Sequence, residues 1–476
     1  MSMDAQPGGG RDSLFPVPGT VIELDVSAPW EPPERPAPHR RLRARWVAVV
    51  VVLAVALGVL AAGGPRPDTG LLFSVDFQVL RAQASGGRIF LARYQLTGPG
   101  PMIEARRASD GTMLWQRPAE VDQQLIVAGP DVVVLMSEDR TGRGDSSVLV
   151  VLDAATGREL WSRARITFNG TNTDVMVVQE ARDAPVGQVV DETDYDPGVN
   201  HAWVQPQQRF LGLDLRTGAT VWDVTVAEGS DVNLSWDSPS QARINRFDVL
   251  TRTGQLTRRD ARTGAVTSTH QLDWSGTSAT FSAGWVDGSG RTADRIVVYP
   301  DGQRGAVVYD LNSGRQLFRW PGELNNGLFR CTDRLLCSGA EGGLDAVDST
   351  TGERRWHLSG ADGVLGFAGD RLLVGSWRDP VATGPRIAGL VDARTGAFVR
   401  RLTGWYALPS GDRPLLWRPV DKRTALLGQL DPATGLITVF ARAENWFGNP
   451  ECSADGRTFV CVVVGGLSVW RLPNGR

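Results

Sequence analysis

The stretch LVVLDAATGRELW, Leu149 to Trp161, recurs along this chain, and no other feature limits the possible folds so sharply. FLGLDLRTGATVW ends at Trp222, GLDAVDSTTGERRW at Trp356 and AVVYDLNSGRQLF at Phe318. Weaker copies are LTRRDARTGAV, AGLVDARTGAF and LGQLDPATGLI. The shared form is an alternating apolar run, then Asp-x-x-Thr-Gly, then a bulky residue four positions after the Gly. The Asp and Gly pairs are Asp153 and Gly157, Asp214 and Gly218, Asp260 and Gly264, Asp310 and Gly314, Asp348 and Gly352, Asp392 and Gly396, and Asp431 and Gly435. Turns without the Asp end at Gly70, Gly111 and Gly475.

Each residue has a mechanical role. Period-2 alternation reads as a strand with one buried face. Asp accepts backbone N–H bonds from residues just ahead of it, Thr does so more weakly, and Gly supplies the positive φ of a tight hairpin. The aromatic opens the return strand and offers a large apolar face. Seven carboxylates at one turn position are therefore structural rather than catalytic. Successive Gly residues are 41, 46, 61, 46, 50, 38, 44, 39 and 40 positions apart, the length of one four-stranded repeat.

Asp-x-x-Thr-Gly-x-x-x-Trp at this period resembles the PQQ-like propeller repeat, found in quinoprotein alcohol dehydrogenases, in outer-membrane assembly factors of the BamB type and in many extracytoplasmic proteins. The resemblance is strong at Trp161, Trp222 and Trp356 and fair at Phe318. It implies an all-β propeller over residues 71–476, with eight blades expected and seven to nine compatible with the spacing. The final repeat stops just past its turn, whereas LLFSV, Leu71 to Val75, follows Gly70 where a return strand would start. Pairing the two chain ends would close the ring and remove two exposed sheet edges.

The four cysteines are Cys331, Cys337, Cys452 and Cys461. The first of each pair lies 17 residues after a repeat Gly, so both pairs occupy one place in two repeats, each expected as a local disulfide. The spacing is not that of a zinc site.

Other chemistry is hard to find in the sequence. The disulfide of adjacent cysteines that the resemblance would require for PQQ oxidation is missing, as is a haem motif. The four histidines, His39, His201, His270 and His357, are scattered. No phosphate-binding Gly-rich loop or Gly-x-Ser-x-Gly elbow occurs. We expect no catalytic residue, no metal and no cofactor. The longest insert, Glu180 to Gln208, holds Asp191, Glu192, Asp194 and Asp196, a carboxylate group that fits no EF-hand and reads as a solvated loop.

A net charge of −3 gives no field to draw in nucleic acid. One segment departs from the soluble pattern. Trp46 to Gly64 is 19 residues without a charge, preceded by Arg35, Arg40, Arg41, Arg43 and Arg45. It reads as a single transmembrane helix with its N-terminus in the cytoplasm. The expected order is a disordered cytoplasmic tail (1–45), the span (46–64), a linker (65–70) and an extracytoplasmic propeller in a cell membrane. The expected function is non-enzymatic: a scaffold or sensor whose propeller binds a protein or cell-envelope ligand. The alternative is an envelope enzyme, quinoprotein-like or glycan-active.

Overall fold

The computed structural model describes residues 70–94, 100–120, 122–137, 147–180, 207–238, 243–274, 279–283, 295–300, 305–321, 328–332, 334–340, 342–368, 370–376, 385–408, 414–446 and 450–473. The expected tail, span and most of the linker lie outside them. No helix among the described residues is long and apolar enough to cross a membrane. The described residues belong to a compact unit, Pro67–Arg476, and their regular structure is all strand.

The strands form five four-stranded sheets and two eight-stranded ones, each of the latter being two antiparallel four-stranded modules joined through a single residue pair, Thr171 with Arg243 and Arg386 with Tyr406. In chain order these are module 1 (79–118), module 2 (123–164), module 3 (166–226), module 4 (231–271), module 5 (279–320), module 6 (328–359), module 7 (363–401) and module 8 (406–444). Module 9 combines 452–471 with the strand Leu71–Val75. The described residues thus form nine such modules. The 61-residue interval contains residues 181–206, which lie between the second and third strands of module 3 and outside the described residues.

Ring closure follows from pairing and from packing. Leu71–Val75 runs antiparallel to Gly466–Arg471, with Leu71 opposite Trp470 and Val75 opposite Leu467. The buried apolar residues fall into nine clusters, and each one bridges two consecutive modules. Ile89 and Leu91 of module 1 meet Val460 and Val469 of module 9, so the last module packs on the first. No module has a core of its own. Alternate residues of each strand pack against the module before and the module after, which is the sheet-on-sheet arrangement a propeller requires.

Both local disulfides are present, Cys331 with Cys337 and Cys452 with Cys461. Cys452 and Cys461 are direct cross-strand partners.

Candidate functional site

The turn residues come first, because their chemistry is repeated. Oδ1 of Asp153 accepts from the backbone N–H groups of Ala155 and Thr156 and from the Thr156 hydroxyl, at 3.1, 2.9 and 2.8 Å. Gly157 N–H closes the turn on the Asp153 carbonyl at 2.9 Å, with φ at +70°. Asp214, Asp260 and Asp392 repeat the set. Asp310 takes Ser313 in place of Thr, and Asp348 uses the N–H groups of Thr350 and Thr351. The Thr hydroxyl holds the Asp153, Asp214 and Asp392 carboxyls below the usual range. The Arg355 guanidinium beside Asp348, helped by the two N–H groups, brings that carboxyl down to about 2. These carboxylates are anchored acceptors with no role left as proton shuttles.

The repeat aromatic acts on the next module. The Trp161 ring lies over Gly218, where a Cβ would come within 2.7 Å of it, and its indole N–H donates to the Leu215 carbonyl at 3.0 Å. Trp222 does the same at Gly264 and Ala261, Trp356 at Gly396 and Ala393, and Trp115 at Gly157 and Ala154. Phe318 covers Gly352 and Phe73 covers Gly111 without the polar bond. The motif therefore pins neighbours together: its Gly must lack a side chain both for the positive φ and for the ring of the preceding module. Trp115 belongs to this set although its turn lacks the Asp; the bulky residue four after Gly111 was the available signal.

Antiparallel meander geometry separates two faces. The Asp turns join third to fourth strands, whereas the insert of module 3 joins the second to the third, at the opposite end. Asp191, Glu192, Asp194, Asp196 and His201 lie outside the described residues, as does His39. Their root is described. There Arg209 bonds Asp223 at 2.6 Å and Glu180 at 2.7 Å, and Arg163 approaches Glu180 at 3.7 Å. Asp223, then Glu180, raises the Arg209 guanidinium, and Arg209 in turn lowers the Asp223 carboxyl. This exposed network was not legible in the sequence, where its four residues stand as isolated charges.

Three buried acids were also missed. Glu104 is fully buried between Arg93 and Arg106, and Phe77 stacks on both guanidinia. Asp248 is fully buried between Arg246 and Arg258. Asp345 accepts from His357 at 2.8 Å, and Ser338 is opposite Asp345 on the next strand. The order Ser–Asp–His puts the acid in the middle, and Ser338 Oγ donates to the Gly339 carbonyl. A nucleophile would need the His beside it. His270 pairs with Ser268 at 3.0 Å on an outer strand. Among the described residues no His, Cys, Asp and Glu group has metal-binding geometry.

A family model described as outer membrane protein assembly factor BamB matches residues 72–289. No curated protein matches the chain. BamB from Moraxella catarrhalis is similar at 16% identity, covering 85% of this chain and 98% of that one, with a TM-score of 0.37. A europium-containing methanol dehydrogenase is similar at 11% identity over 83% of this chain and 85% of its own, with a TM-score of 0.36.

Proposed function

We propose that the chain, whose residues 72–289 match the BamB family model of PQQ-type repeats, is a membrane-tethered, extracytoplasmic scaffold or sensor. Its nine modules form a nine-bladed ring that binds a protein or cell-envelope ligand without catalysis. The tail, 1–45, is cytoplasmic, and 46–64 is the single span. The family is described as that of an assembly factor, which supports a protein-binding role.

The observation that carries this reading is the division of labour between the two faces. On the turn face an oxygen of each turn Asp is engaged within its own turn, and Gly111, Gly157, Gly218, Gly264, Gly352 and Gly396 lie beneath aromatic rings. The opposite face bears the insert and its exposed root of Arg163, Glu180, Arg209 and Asp223. Gly70 enters at the turn-face end of the closing strand, beside Arg471. A six-residue linker reaches about 20–25 Å at most.

A photo-cross-linker placed at Arg209 in the intact membrane protein should capture a defined partner, and one placed at Thr395 on the turn face should not. Equal capture from both faces would overturn the reading. A visible cofactor spectrum after reconstitution with PQQ and calcium would replace it with the enzymatic one.

A further inference from the structure

The seam between module 9 and module 1 departs from the others in charge. At the position four before the turn Gly, modules 2 to 8 carry Asp153, Asp214, Asp260, Asp310, Asp348, Asp392 and Asp431. Modules 1 and 9 carry Arg107 and Arg471 there. The backbone pattern confirms the equivalence: Gly111 N–H bonds the Arg107 carbonyl as Gly157 N–H bonds that of Asp153. Likewise Leu472 N–H bonds the Arg457 carbonyl as Ala154 N–H bonds that of Asp131. The charge is inverted on both sides of this one seam.

The same seam holds a cavity of about 950 Å³. Arg457 and Arg471 line it together with Leu72, Leu472, Ser109 and the Gly86–Gly87 hairpin tip. Neither guanidinium has a hydrogen-bond or ion-pair partner among the described residues. Asp455 also lines the space, but its oxygens are occupied. Oδ1 accepts from the N–H groups of Arg457 and Thr458 at 3.2 and 2.9 Å, and Oδ2 from Gly87 N–H at 3.3 Å. Beside the engaged Asp455 carboxylate, the space is faced by two planar cations, by Ser109 and Thr458, and by an apolar wall of Leu72, Leu472 and Ala108.

We propose that this cavity binds a phosphate group, a phosphorylated lipid headgroup or a free phosphate, through Arg457 and Arg471. Guanidinium forks match phosphate oxygens in pairs, and charge-assisted bonds of this kind are the strong ones. The leucine wall suits a ligand with carbon next to its phosphate. Because residues from both ends of the ring line the cavity, occupancy stabilises the closed form by mass action. The site does not depend on the scaffold reading above, since it uses neither the insert face nor any partner protein.

The test uses the purified full chain in phosphatidylcholine nanodiscs, titrated with inorganic phosphate, glycerol 3-phosphate, or vesicles containing phosphatidylglycerol. Binding should appear with at least one of these, raise the melting temperature, and weaken with salt. The Arg457→Ala/Arg471→Ala double variant should lose about tenfold or more in affinity. Both side chains are exposed and unpaired, so the ligand-free melting temperature should be unchanged, and Arg394→Ala should bind as the parent does. Equal binding of inorganic phosphate and glycerol phosphate supports the site and assigns it to free phosphate. Preference for the glycerol ester and phosphatidylglycerol supports it and assigns a lipid. No binding to any probe, or undiminished binding by the double variant, overturns the proposal.

Discussion

Module 4 packs on two neighbours in opposite ways. Toward module 3 it offers Ile244, Phe247, Val249 and Ala261, with Phe247 stacked on Trp222 at 5.3 Å and the Trp222 ring over Gly264. Toward module 5 the alternate residues include Arg246, Asp248 and Leu250, and Arg258 faces Asp248 from the next strand. The repeat position that would send an aromatic to module 5 is Ser268, and Gly314 sits instead against the Gln271 backbone carbonyl. One strand thus serves an aromatic seam on one side and, on the other, an apolar seam that also holds a buried ion cluster. The fold asks for a filled, satisfied gap between modules and accepts either chemistry, but the two should respond differently to mutation and to pH.

The largest effect should come from Trp222→Ala. Removing a buried indole costs about 3–5 kcal/mol, whereas Ser268→Ala, at the same repeat position, should stay within about 0.5 kcal/mol. Urea unfolding of both variants checks this, and equal losses would erase the distinction between the seams.

Gly264→Ala comes next, at about 1–3 kcal/mol, because the new Cβ meets the Trp222 ring and the backbone stays at positive φ. In the Trp222→Ala background part of this cost should vanish, giving a coupling energy above about 0.5 kcal/mol. Gly314→Ala should show no such rescue, since it meets a backbone carbonyl. A double-mutant cycle measures both.

Acidity should separate the ionic seam from the turns. Burial pushes the Asp248 carboxyl up to about 6, against the pull of Arg246 and Arg258. Its folded value is above the unfolded one, so its contribution to stability is fullest below about pH 4 and declines as pH rises through 6. Asp348, held by Arg355 at about 2, has the reverse sign: its contribution is complete above about pH 4 and is lost as pH falls toward 2. Asp248→Asn should flatten the stability profile between pH 4 and 6, and Asp348→Asn should flatten it only below 4. A profile unchanged by Asp248→Asn would place the titrating group elsewhere.

A last test concerns sulfur. Replacing Cys452 and Cys461 together by Ala should cost about 2–3 kcal/mol through the freed short loop. Non-reducing mass mapping should recover this pair and Cys331 with Cys337.

Legibility followed the range of the interaction. The turn Asp, Thr and Gly could be read because their bonds close within five residues, and the cysteine pairs because each spans one hairpin. The closing strand could be read because Leu71–Val75 supplies what the last repeat lacks. The Trp residues were read only as apolar faces. Their partners lie 37–54 residues away on the next module, and the repeat period does not say which turn a given ring covers. Glu104 and Asp248 could not be singled out, since nothing local marks a strand residue as facing a neighbouring sheet.

The sequence by itself determined the hairpin, its turn chemistry, its period and its all-β class, because each rests on backbone geometry and hydrogen bonds formed within a few residues. Only the tertiary structure decided that nine modules share nine cores, which seams carry aromatic rings and which a buried ion cluster, and that two arginines of module 9 line the cavity at the closing seam. Those outcomes depend on which side chains face each other once the sheets pack, and a strand's alternation names its buried face without naming what covers it.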